Sequence, residues 1–293
     1  MADTKNTGVI IETLPIKDVI IQGFTGTSKS NFINKLNIID GNQSKIIPVG
    51  SYVDKGASSI IPEKGNANVR RLKFDGVTVK PKRFAEAIEL SVDFEDESAV
   101  DVIEFVKKMA FNRILHGLES QMMVYGYQNS DTQAVKDVSF ERLFPSANQP
   151  ISTKSGEPLS YKDVLFAYRQ MSLMGKTKDA FWLIGGEAGF SVLDAQSNER
   201  LSFDNIPEGA DATLLGLPVY LISSFMYNDG THAAFAIAHP DAYALSLSDV
   251  KVIKPRLDTE QAMKAKQVYI VELWADGKVT DLQSKRAYSF APN

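Results

Sequence analysis

The stretch from Ser98 to Gly126 constrains this chain more than any other. Val102, Ile103, Val106, Met109, Ala110, Ile114, Leu118 and Met122 recur at helical spacing. Lys107, Lys108, Arg113 and Glu119 fall between them as a solvated side. Ser98, with Asp101 three residues on, supplies a capping signal, and the acids before it suit the positive end of a helix dipole. Gly126 supplies a stop. A helix of that length measures roughly 40 Å, the width of a small domain. The remaining elements must therefore be arranged along it.

The segments leading into this helix are less regular. Residues 1–45 alternate short apolar runs, such as VIIETLPIKDVIIQGF, with polar pieces rich in Gly, Ser and Asn. They read as an extended arm that needs a surface to lie on. Ile46 to Arg83 has the pattern of a long hairpin, IIPVGSYV going out and VRRLKFDGVTVKPKRF returning. Neither face of the returning strand is strongly apolar, and an isolated two-stranded ribbon is marginal in water. The hairpin is basic: Lys55, Lys64, Arg70, Arg71, Lys73, Lys80, Lys82 and Arg83 face only Glu63 and Asp75. It calls for an acidic partner. Phe84, Ile88, Leu90 and Val92 then share one face of a strand that enters the helix.

Beyond Gly126, a polar, Pro- and Gly-rich connection marks a boundary. A second helix follows from Ser160 to Gly175, with an apolar stripe of Val164, Leu165, Tyr168, Met171 and Met174. AFWLIGG reads as a buried strand and Glu187 to Ala195 as a short helix. LLGLPVYLISSFM reads as a strand opened by a turn, and AAFAIAHPDAY as a strand leading to a turn at Pro240 and Asp241. VKVIKPRLD and KQVYIVELWADGKVTDLQSKRAYSFAP complete the strands, with Ala275, Asp276 and Gly277 predicting a hairpin in the last piece. Strands on both sides of the long helix predict an α+β region built from the two ends of the chain, with a second region inserted between them.

Chemistry-bearing patterns are lacking. There is no cysteine, so no disulfide, thiol nucleophile or thiolate metal site. His116 lies inside the long helix and reads as a packing or surface residue, and His232 and His239 flank a strand with no carboxylate at metal-ligand spacing beyond Asp241. IGGEAG fits neither phosphate-loop pattern, and no nucleophile elbow occurs. Trp182 and Trp274 lie in strand patterns and read as core. A net charge of −4 argues against a polycation for nucleic acid, and neither a membrane span nor a secretory signal is evident. The expectation is no catalytic residue, no metal and no cofactor.

The order of these elements resembles the major capsid protein of tailed bacteriophages, whose shell fold is shared with encapsulins and the herpesvirus capsid floor. The residues that carry the resemblance are FAEAIELSVDFEDESAVDVIEFVKKMAFNRILHGLESQMMVYG, AFWLIGGEAGFSVLDAQ, ATLLGLPVYLISSFM, AAFAIAHPDAYALSLSDVKVI and the terminal pair ending RAYSFAP. Leu214, Leu215, Gly216, Leu217, Pro218 and Val219 match a frequent family element. The resemblance implies an N-terminal arm over 1–45 and an extended loop over 46–83. It implies a peripheral domain from 84–149 and 231–293, with the spine helix 98–126, and an axial domain over 150–230. It also implies self-assembly into hexamers and pentamers of an icosahedral head around double-stranded DNA, held by non-specific contact. Assembly would take place in the host bacterial cytoplasm, with scaffolding, portal and decoration proteins as further partners. The family often carries a cleaved scaffolding segment. At 293 residues the chain leaves no length for one, so scaffolding would be a separate protein or unused. No covalent crosslink is expected, because no partner asparagine matches Lys55 or Lys64.

Within that frame the basic hairpin, through Lys55, Lys64, Arg70, Arg71 and Lys73, is expected to lie on a neighbour's acidic helix start. That start comprises Asp93, Glu95, Asp96, Glu97, Asp101 and Glu104. Two alternatives remain: an encapsulin-type compartment holding protein cargo, and an unrelated α+β enzyme.

Overall fold

The computed structural model describes residues 9–15, 32–41, 45–49, 75–92, 101–123, 140–141, 143, 161–185, 201–222, 232–256, 265–281 and 285–290. The hairpin between 50 and 74, the acids between 93 and 97, Ser98, Gly126 and the helix expected over Glu187–Ala195 lie outside them.

Helix α1, Val102–Met123, is the long helix of the sequence. Over its 22 residues it extends about 33 Å. Its burial is wider than the apolar stripe: Val106, Ala110, Phe111, Ile114, Leu115, Leu118, Met122 and Met123 are all in the core. Glu119 and Ser120 are buried with them, so Glu119 is not on the solvated side. Lys107 pairs with Glu12 and Arg113 with Glu86, which fastens the helix to two strands of one sheet.

That first sheet has β13, Lys266–Val279, at its centre. On one side β5, Lys82–Ser91, pairs with it antiparallel from Ser91↔Lys266 to Lys82↔Ala275. Strands from before and after α1 are thus joined, as the two-ended α+β region required. On the other side run β11, Tyr243–Leu247, and β12, Val250–Lys254. The step between them is bridged by Ser248, whose backbone N donates to Trp274 O at 2.9 Å and whose Oγ accepts from Trp274 N at 2.8 Å. Asp276 and Gly277 pair with Ser246 and Leu245 inside β13. The expected hairpin there is therefore absent. A Cβ on Gly277 would overlap the Tyr243 hydroxyl and lie 2.6 Å from its Cζ, so this glycine serves a close crossing and not a turn.

The arm occupies both outer edges of this sheet. β1, Val9–Leu14, pairs antiparallel with β12, and β2, Asn37–Asp40, pairs parallel with β11. Between them Phe32, Ile33 and Leu36 enter the main core. Gly41 lets the chain close on β11: a Cβ there would stand 2.6 Å from the Leu247 carbonyl carbon. These parts of the arm find the surface they need on their own molecule. β3, Lys45–Val49, and β4, Asp75–Val79, form a separate two-stranded antiparallel ladder, the root of the expected hairpin.

The second sheet runs β14-β10-β6-β9-β8-β7. Its strands are β6 (Phe181–Gly185), β7 (Leu201–Ser202), β8 (Ala212–Leu214), β9 (Leu217–Ile222), β10 (His232–Ala238) and β14 (Lys285–Phe290). Strand 232–238 thus pairs with β6 and strand 285–290 with β10, and neither joins the sheet of β13, although the expected peripheral grouping was 231–293. Both faces are buried, with period-two alternation. Phe181, Leu183, Tyr220, Ile222, Ala236 and Ala238 join α1 in the main core. Trp182, Ile184, Val219, Phe235 and Ile237 meet Val164, Ala167 and Met171 of helix α2, Tyr161–Leu173. The α2 terminus is a Schellman closure: Gly175 has φ +67°, its N donates to Ser172 O at 2.9 Å, and Lys176 N donates to Met171 O at 2.9 Å. Leu215 and Gly216, both at positive φ, form a two-residue turn between β8 and β9.

Candidate interaction surfaces

Two of the acids expected to meet the basic hairpin are in view. Asp101 caps α1: its Oδ1 accepts from Glu104 N at 3.1 Å and its carbonyl from Phe105 N at 3.0 Å. The cap is thus Asp101 where the sequence suggested Ser98. Glu104 is half exposed, its carboxylate 4.0 Å from Lys108 one turn on. Asp93, Glu95, Asp96 and Glu97 lie outside the described residues, as do Lys55, Lys64, Arg70, Arg71 and Lys73. No predicted cation is brought beside a predicted acid among the described residues.

The hairpin root is anchored by a group that the sequence marked only as part of a turn. Asp276 is fully buried. Its Oδ2 accepts from Lys80 N at 2.7 Å, where β4 passes into β5, and its Oδ1 accepts from Gly277 N at 2.9 Å. Next to it, Tyr243 donates its hydroxyl to the Glu141 carbonyl, Glu141 N donates to Gly277 O at 2.8 Å, and Val279 N donates to Glu141 Oε2 at 3.2 Å. Burial pushes the Tyr243 phenol well above the ordinary value, and the negative charges of Asp276 and Glu141 push it further. Arg83 reaches Glu272 on β13 at 2.6 Å, so this cation is engaged within its own sheet.

Apolar side chains in water form the other surface class. On α2 the outward positions are Lys162, Phe166, Arg169 and Leu173, with Leu173 82% exposed. The segment after β7 presents Phe203, 68% exposed, and Ile206. Trp274 is 43% exposed, in contrast to the core role its strand pattern suggested, because it lies on the face of β13 turned away from α1. Phe166 and Leu173 are legible in hindsight: they fall opposite Val164, Ala167 and Met171 on the helical wheel.

Among the described residues no cluster of His, Asp and Glu could hold a metal ion, and no helix is long and apolar enough to cross a membrane. No protein-family model matches the sequence, and no curated protein matches it. Solved structures do match the fold. The capsid of the native GTA particle superimposes with a TM-score of 0.59 at 13% identity, over 89% of this chain and 90% of that one. The fold is that of a phage-type capsid protein. The capsid of Cyanophage P-SCSP1u gives a TM-score of 0.57 at 12% identity, over 90% and 89% of the two chains. A structure from Mycobacterium phage Adephagia gives 0.57 at 16% identity, over 90% and 92%. In each case the likeness covers about nine-tenths of both chains.

Proposed function

We propose that the chain is a major capsid protein that assembles into hexamers and pentamers of an icosahedral head enclosing double-stranded DNA. The observation that carries this reading is whole-length likeness in both directions to subunits of capsid shells. The role is structural and the site of action is the virion. Residues 46–83 act as the extended loop, reaching over a neighbouring subunit from a root fixed by Asp276. Residues 84–149 with part of the C-terminal third form the peripheral region around α1, and residues from 150 to 230 contribute the axial region.

The basic hairpin residues Lys55, Lys64, Arg70, Arg71 and Lys73 lie against a neighbour's Asp93, Glu95, Asp96, Glu97 and Glu104, with Asp101 already partly engaged as a helix cap. Exposed pairs contribute about 0–1 kcal/mol each, so they set registry while buried apolar area supplies adhesion. Expression of the full chain followed by negative-stain microscopy tests the reading. Closed shells support it, and DNA inside separates a phage head from a compartment filled with protein. A monomer at all concentrations contradicts it. Reversing Arg70, Arg71 and Lys73 together is expected to reduce shell yield. Normal assembly of that variant rules out the charge pairing.

A further inference from the structure

Two exposed patches on this chain are complementary in chemistry. The outward stripe of α2 alternates cation and apolar group: Lys162, Phe166, Arg169, Leu173. Phe166 and Leu173 stand two turns apart, about 10 Å along the axis, with Arg169 between them. The segment 203–208 alternates apolar group and anion: Phe203, Asp204, Ile206, Glu208. Both patches keep these side chains in water, so neither covers the other within one molecule. Among the described residues no ion pair engages Lys162, Arg169, Asp204 or Glu208.

The acidic patch is held in shape. Asp204 N donates to Ser202 Oγ at 3.3 Å, Thr213 Oγ1 donates to Ser202 O at 3.3 Å, and Ala210 N closes a turn on Pro207 O at 3.0 Å with Gly209 at φ +78°. Asp211 then ties the end of the segment to β9, its N donating to Val219 O at 2.9 Å and its Oδ2 accepting from Leu221 N at 2.8 Å. A loop fixed in this way loses little ordering entropy when it docks, and its Phe203 is presented to water at 68% exposure. The α2 patch is equally fixed, since Val164, Ala167 and Met171 lock the opposite face of the helix into the second sheet.

We infer that the 203–208 segment of one copy docks on the Lys162–Phe166–Arg169–Leu173 stripe of α2 in a second copy. Phe203 and Ile206 pack on Phe166 and Leu173, while Asp204 and Glu208 face Lys162 and Arg169. The contact joins different patches of two identical chains, so it is head-to-tail and closes into a ring when the rotation between copies divides a full turn. Four apolar side chains fall short of the roughly 1,000 Å2 that an independent stable interface needs. The contact therefore works only when repeated by symmetry beside others. This inference rests on the shell reading above and assigns one contact within it.

Charge exchange on the full chain tests it. In Lys162→Glu/Arg169→Glu, and separately in Asp204→Lys/Glu208→Lys, like charges meet across the contact, which weakens association by roughly tenfold or more. Each variant is expected to melt like the parent and to yield few shells or rings by microscopy and sedimentation. The four-substitution chain, carrying both exchanges, is expected to recover assembly, and Phe203→Ser is expected to lose it. Normal shells from either charge variant, with the parent also assembling, overturn this contact and leave the shell reading intact. Failure of both variants without recovery in the combined chain also overturns it, assigning the patches to other partners. A parent chain that never assembles overturns both readings.

Discussion

At the scale of single residues, the junction around Gly277 shows how one position serves three neighbours. The glycine admits the Tyr243 ring, Asp276 beside it holds the Lys80 amide, and Glu141 accepts the Tyr243 hydroxyl on its carbonyl. Tyr243 is neutral and fully buried there, with its ionisation pushed upward by burial first and by Asp276 and Glu141 second. A phenol whose folded value is raised stabilises the fold fully below the unfolded value of 10.0 and loses that contribution as pH climbs toward the folded value. Stability is therefore expected to fall above about pH 10. Tyr243→Phe is expected to flatten part of that alkaline limb, leaving the part due to Tyr220, which burial also raises. At neutral pH the same substitution costs about 0.5–1.5 kcal/mol for the lost hydrogen bond. Urea unfolding at pH 8 and pH 11 checks both, and identical pH slopes for parent and variant would remove Tyr243 from the explanation.

At the scale of elements, α1 begins where a side chain satisfies its first amides. Asp101 does so for Glu104, and its charge also faces the positive end of the helix dipole. Asp101→Ala is expected to lower stability by about 1 kcal/mol, and Asp101→Asn by less, because asparagine keeps the accepting oxygen. Thermal melts of the two variants give the comparison, and equal loss in both would mean that the dipole term outweighs the cap. Helix α2 was legible in its stripe and at its C-terminal end: Val164 and Met171 were in the expected stripe, and Gly175 was the expected stop. Its exposed Phe166 and Leu173 were not singled out, since a buried stripe says nothing about what waits on the opposite face.

Across the whole molecule, the arm and the hairpin differ in what they need. Residues 9–14, 32–36 and 37–40 supply two sheet edges and part of the main core of their own chain. Among the described residues the β3–β4 ladder supplies none to that core, although Val79 is buried beside the anchorage at Lys80. Replacing residues 50–74 by a short turn is thus expected to leave the melting temperature within a few degrees of the parent, a stability change of no more than about 1 kcal/mol. The same deletion is expected to abolish shells. Removing residues 1–41 is expected to unfold the subunit before assembly is at issue, because it uncovers the edges of β11 and β12 and empties the space of Phe32 and Ile33. Scanning calorimetry with sedimentation separates the two deletions, and a stable chain lacking residues 1–41 would contradict this division of roles.

Local patterning by itself determined the long helix, the buried strand AFWLIGG, the second helix with its glycine stop and the turn at Pro240–Asp241. Each is set by the period of apolar residues or by a capping group within a few positions, and these act wherever the segment ends up. Tertiary structure alone decided that Asp276–Gly277 continues a strand, that Glu119 is buried and Trp274 exposed, that β10 and β14 leave the sheet of β13, and that the arm closes both edges of its own sheet. In each case the deciding partner is distant in sequence: Tyr243 and Lys80 for Gly277 and Asp276, β6 for β10, and β11 and β12 for the arm. Periodicity reports which face of a segment is apolar, but what covers that face is chosen by chain closure over tens to hundreds of residues.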